Sequence, residues 1–215
     1  MSGNSGRRRL SPGERREVIL RAAGEVFALR GYGGASMREV AAAAGITTPV
    51  LYDHFSAKDG LYRAVIERHA DGLNRAWSVP PSGVSAEGLV RHTLSLIFGW
   101  VEGNPVGWRL LFGELPGDPA VSPAHERGQQ DASASLAGLL GRLPYLDLPV
   151  GMPRAAAEEA LAEGTKWTLN AMVAWWLRNP GVGREQVEGL TADLVWRGLS
   201  GLTASTEGKH DELGD

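Results

Sequence analysis

Residues 36–62 read SMREVAAAAGITTPVLYDHFSAKDGLY, and the order of residue types in this stretch decides the fold. Ser36 is a good helix N-cap, and Glu39 three positions later can close a capping box with it. Met37, Val40, Ala41 and Ala44 recur at helical spacing. Alanine favours helix and has little bulk, so a second helix can cross closely. Gly45 can take the left-handed conformation that ends a helix and opens a sharp turn. Ile46 is then an apolar plug between two helices. Thr47 or Thr48 caps the second, and Pro49 is tolerated in its first turn, where its missing N–H has no helical acceptor. Val50 to His54 complete about two turns. Phe55 leaves the helix, and Ser56 with Asp59 makes a second capping box for a helix beginning near Lys58. Two short helices about a tight turn, then a third, is the order of a helix-turn-helix.

The edge that follows narrows the reading. Ala44-Gly45-Ile46-Thr47, then Leu51-Tyr52-Asp53-His54-Phe55, then Ser56-Ala57-Lys58-Asp59-Gly60-Leu61 resembles the pattern of the TetR family of transcriptional repressors. An upstream helix with Ala22, Ala23 and Phe27, ending at Gly31-Tyr32, is similar to that family's first helix. The resemblance covers about residues 12–70. Thr47 stands where serine is usual, and the hydroxyl is kept. Gly60 is a second departure, a weak helix former near a helix start. The resemblance implies an all-α chain with an N-terminal three-helix DNA-binding domain and a larger helical domain. It further implies a homodimer whose last two helices pair with their copies in a four-helix interface.

Most protein–DNA hydrogen bonds go to phosphate, from hydroxyls, cations and helix N-termini. Ser36, Thr47, Tyr52, His54 and Lys58 are such groups gathered around one short helix. His54 can also be an ordinary surface histidine, but its Tyr-x-His-Phe context favours phosphate contact. Lys58 combines a cation with the positive end of a helix dipole, which suits a phosphate. Thr48, Pro49 and Val50 form the front of the reading helix. Thr48 can bond a base edge, and the Thr48 methyl or Val50 can pack on a thymine methyl. Leu51 and Phe55 face inward.

Charge supports the assignment. Net charge is -3, but residues 1–70 hold 11 Lys and Arg against 7 Asp and Glu, a balance of +4. Residues 71–215 hold 11 against 18, a balance of -7. A basic module on an acidic partner domain is the footprint of a phosphate binder. Arg7, Arg8 and Arg9 lie among Gly and Ser, as a disordered arm for phosphate or minor groove, or as a solvated tail.

There is no cysteine among the 215 residues, hence no disulfide framework and no Cys-based metal site. No apolar run approaches the ~20 residues that span a bilayer, and the start lacks an apolar signal core. The expectation is a cytoplasmic protein without a cofactor. Walker A, GxGxxG, HExxH, GxSxG and EF-hand patterns are absent, so an enzyme reading has no positive support. A helical protein-binding adaptor is the other alternative, against which the basic N-terminal part speaks.

The expected organisation is a basic arm at 1–10, a DNA-binding domain at 11–78, a ligand-binding and dimerisation domain at 79–204, and a disordered tail at 205–215. VPPSGV at 79–84 marks the boundary. Capping by Ser11 with Glu14 starts the first helix. Later helices are expected at about 85–103, 105–115, 124–142, 154–178 and 184–203, with no strand. Leu169, Val173, Leu190 and Leu194 are the dimer-interface candidates on the last two. Trp100, Trp108 and Trp167, with Arg109 and Asn170, are candidate walls for a lipophilic or aromatic effector, or plain core. The resulting expectation is a repressor released from a palindromic operator by a small molecule.

Overall fold

The computed structural model describes residues 11–77, 83–113, 116–142 and 151–203. Among the described residues the secondary structure is nine helices and no strand. The basic arm, most of the 79–84 break and the polar tail lie outside them.

The N-terminal helix α1 (Pro12–Gly34) starts where its sequence says. The Ser11 hydroxyl accepts from the Glu14 amide at 3.2 Å, and the Ser11 amide donates to Glu14 Oε2 at 2.8 Å. Its inward face, with Ile19, Leu20, Ala23 and Phe27, is buried. At Gly31 the backbone turns left-handed, φ 68°, and carries the chain away from the helix axis toward α2 (Met37–Ala43) and α3 (Thr48–His54). Next comes α4 (Lys58–Trp77). It packs on α1 and on α5, α6 and α7, so it joins the reading part to the rest. Asp59, expected to close a box with Ser56, instead pairs with Arg63 one turn on, at 2.7 Å.

The larger helical part comprises α5 (Ala86–Gly103), α6 (Pro105–Phe112), α7 (Ser122–Leu140), α8 (Arg154–Leu177) and α9 (Arg184–Thr203). Ser85 caps α5 through the Gly88 amide at 3.1 Å. Pro123 in the first turn of α7 lets that helix begin two residues earlier than expected, because proline at that place costs no hydrogen bond. The α8–α9 turn is fastened by Trp176, whose indole N–H donates to the Val182 carbonyl at 2.9 Å. Lys166 is buried between α7 and α8, donating to Ser133 Oγ and Glu163 Oε1, both at 2.8 Å. A buried ammonium is tolerable only when paired in this way. One apolar core runs through both parts, from Leu51 and Leu61 to Ile97, Leu111 and Val173.

Two of the dimer candidates are corrected here. Leu169 and Val173 are 2% and 0% exposed, because that face of α8 turns toward the chain's own core. They have no surface to offer a second copy.

Candidate nucleic-acid interface

The turn between α2 and α3 is set by backbone chemistry. Gly45 has φ 66°. The Ile46 amide reaches back to Ala41 O at 3.0 Å, and the Gly45 amide to Ala42 O at 3.1 Å. This is a Schellman closure, which answers the last carbonyls of α2 and needs a residue tolerant of positive φ at its centre. Ile46, next in line, packs against the core. The turn thereby fixes α3 against α2.

Leu51 within α3 and Phe55 at its C-cap are buried and anchor the helix. One turn apart on the inward side, they leave Pro49, Tyr52 and Asp53 fully outward, with Thr48, Val50 and His54 on the flanks. Tyr52 is 49% exposed, high for an aromatic side chain. Thr47 is the N-cap residue, but its hydroxyl makes no capping bond. It is exposed and free to donate elsewhere.

Two other expected phosphate donors are committed within the chain. Ser36 O–H donates to Glu39 Oε2 at 2.8 Å, while its oxygen accepts from the Glu39 amide at 3.2 Å. The Ser36 hydroxyl and amide in turn hold the Glu39 carboxyl below the usual carboxylate range. Lys58 Nζ donates to Tyr32 O at 2.9 Å and Ala35 O at 3.2 Å.

Sequence reasoning missed two residues on this surface. Arg38 lies exposed in the first turn of α2 and adds a cation to the helix that packs against α3. Asp53 stands one turn after Pro49 on the outward face. A carboxylate repels phosphate, and on DNA it suits a cytosine amino group. The i, i+4 spacing from Pro49 was the available signal.

Among the described residues, neither the cavity between α5, α7, α8 and α9 nor the groove between α8 and α9 is lined by any of the five candidate effector residues. Trp108 is buried, donates to Asn170 Oδ1 at 3.1 Å and packs on the Phe112 ring at 4.3 Å. Trp100 is half-buried against the backbone of Gly72. Trp167 is 47% exposed, donating to Glu163 Oε2, and Arg109 is exposed. An apolar cavity of about 40 Å³ instead lies between α5, α7, α8 and α9, lined by Val90, Thr93, Leu136, Leu140, Val195 and neighbouring leucines. Aliphatic walls look like core in sequence, which is why the tryptophans drew attention first.

Leu190 and Leu194 on α9 are 60% and 53% exposed, and Trp167 and Trp175 on α8 are exposed as well. An open groove of about 320 Å³ runs between the two helices, floored by Ala160, Gly164, Thr168 and Gly198. Among the described residues there is no metal-binding cluster and no helix long and apolar enough to cross a membrane.

Residues 19–65 match the model of a family described as bacterial regulatory proteins, tetR family. The chain is 32% identical over 202 residues to the HTH-type transcriptional activator FasR of Mycolicibacterium smegmatis, covering 92% of this chain and 89% of that one. It is 36% identical over 104 residues to the HTH-type transcriptional repressor Rv3405c of Mycobacterium tuberculosis, 46% of this chain and 55% of the relative. A TetR-like transcriptional regulator from Rhodococcus sp. RHA1 superposes with a TM-score of 0.70 at 25% identity, covering 90% and 100% of the two chains.

Proposed function

Because the chain belongs to the tetR family of bacterial regulatory proteins, we propose that it is a homodimeric regulator that grips a palindromic operator and lets go when a lipophilic small molecule binds. The observation that carries the reading is the exposed front of α3: an uncommitted Thr47 hydroxyl and an exposed Tyr52 on a helix anchored by Leu51 and Phe55. In this reading residues 11–78 read DNA in the cytoplasm, and residues 79–204 dimerise and sense. Thr47, Tyr52, His54 and Arg38 face phosphate. Thr48, Pro49 and Val50 meet base edges, with Asp53 on a cytosine amino group.

Dimerisation is assigned to α8 and α9 through Leu190, Leu194 and the groove beside them. Small residues on the groove floor allow a second helix to approach closely. A dimer supplies the two reading heads that a palindrome requires.

The effector is assigned to the aliphatic cavity, away from the tryptophans. Leu, Val and Thr walls offer dispersion and a dry surface but almost no hydrogen bonds, which favours an alkyl chain over a polar or charged ligand. Such a ligand releases DNA by preferring the form whose reading heads are wrongly spaced. Repression was the expectation from the family pattern, yet a relative that aligns over most of the chain is named an activator. Operator release is therefore the step assigned here. Its sign at a promoter follows from where the operator lies.

Binding-site selection with the full chain tests the reading. A pseudo-palindrome with half-sites about one helical turn apart, or a multiple of that, is expected. Recovery of no discrete motif would sink it. Titration with a series of alkyl chains, read as operator affinity, tests the sensor. Operator must weaken the ligand by the factor that the ligand weakens operator, and a flat response across the series removes the cavity from the mechanism.

A further inference from the structure

We infer that Lys58 is a positioning residue, which pins the amino end of α4 to the backbone entering α2 and so holds the reading helix in register without touching a phosphate. The inference builds on the DNA-binding function. An ammonium has three N–H donors. One goes to Tyr32 O at 2.9 Å and a second to Ala35 O at 3.2 Å. The third side is closed by the Tyr32 ring, whose centroid lies 4.4 Å from Nζ. Carbonyl dipoles and the negative face of the ring answer the charge from within the chain.

The position itself calls for such partners. Lys58 is the first residue of α4, where the helix dipole presents its positive end and a cation is disfavoured. Two carbonyls and a ring offset that penalty in the absence of DNA. They also stand at a mechanically decisive place. Tyr32 follows the left-handed residue Gly31, and Ala35 directly precedes Ser36, the N-cap of α2. Tyr32 to Ala35 is thus the four-residue stretch from the kink at Gly31 to the N-cap of α2, and Lys58 holds it at both ends. The Tyr32 ring is fixed in turn, edge-on to Tyr62 at 5.1 Å and stacked near Phe27 at 6.2 Å. Since α4 goes on to pack against α5, α6 and α7, this clamp is where a shift of α4 reaches the reading head.

The test compares the parent chain with Lys58→Met, which keeps the stem and removes charge and donors, on a selected operator and on random DNA across a salt series. A positioning role predicts an operator affinity lower by about tenfold, unchanged binding to random DNA and an unchanged salt slope. A phosphate contact predicts parallel losses on both DNAs and a slope shallower by about 0.9. That result, or no loss at all, overturns the inference. Hydrogen exchange at amides 36–40 should quicken in Lys58→Met while α8 stays protected, and unchanged exchange overturns it without reference to DNA. Should Lys58→Met fail to fold, Lys58→Arg decides. It keeps the charge, but its flat fork does not fit between two carbonyls under a ring. Selective operator loss at unchanged slope supports positioning, and full parental affinity overturns it.

Discussion

The imidazole of His69 on α4 fills the space in which any side chain at Gly107 on α6 would begin: a Cβ there would lie 2.4 Å from Nδ1 and 3.0 Å from Cγ. The other edge of the same ring faces Gly24 on α1, where a Cβ would stand 3.4 Å from Nε2. One histidine thus keys three helices together: at Gly107 nothing larger leaves room, whereas at Gly24 a Cβ would meet the ring at ordinary contact.

Gly107→Ala should therefore force His69 or α6 to move. Overpacking of this kind costs about 1–3 kcal/mol, and thermal unfolding should show a lower midpoint. Gly24→Ala should be far milder, since 3.4 Å is ordinary contact. Equal effects of the two variants would mean that the ring is not wedged.

Acid should destabilise the fold through the same residue. Burial, with a smaller contribution from the Arg68 charge, pushes His69 from its ordinary 6.5 down to about 4. The unfolded chain then takes up a proton that the folded chain refuses. Stability is full above about pH 6.5 and falls as pH drops toward 4, by on the order of 3 kcal/mol. Burial lowers His125 as well, so it acts in the same direction. Urea titrations at pH 7 and pH 5 measure the effect, and His69→Leu should reduce the difference.

Leu194→Arg should separate dimer from fold. The side chain is 53% exposed in a single chain, so the monomer can still fold. In a paired seam an unpartnered charge costs several kcal/mol. Light scattering should report monomers with full helical circular dichroism. Leu169→Arg, at a buried site, should lose the fold itself. A dimeric Leu194→Arg protein would move the interface off α9.

Val50→Ala should relax preference at one base pair in each half-site, at about 1 kcal/mol. Binding-site selection on parent and variant would reveal it. An identical motif from both would take Val50 out of the reading set.

Local signals were legible in the sequence, and long-range ones were not. Ser11 with Glu14 and Ser36 with Glu39 close within three residues, and Gly45 sits in a turn built from its own neighbours. Helix boundaries and the helix-turn-helix follow from rules of that reach. The partners of Lys58 were not legible because its carbonyl acceptors lie 23 and 26 residues away; a lysine at a helix start looks the same in sequence whether it faces phosphate or backbone. The stripe on α8 misled for a similar reason. Periodicity marks an apolar face but not what covers it, so Leu169 and Leu194 read alike until the core claimed the first.

The placement of the tryptophans makes the chain its own optical gauge. Trp108 and Trp176 sit in apolar surroundings, whereas Trp167 and Trp175 look outward from α8. Indole emission moves to longer wavelength as its surroundings become wetter. Two of the fluorophores therefore respond to what covers α8 and two respond to the interior, so a dilution series read at two wavelengths would distinguish chains coming apart from chains coming undone.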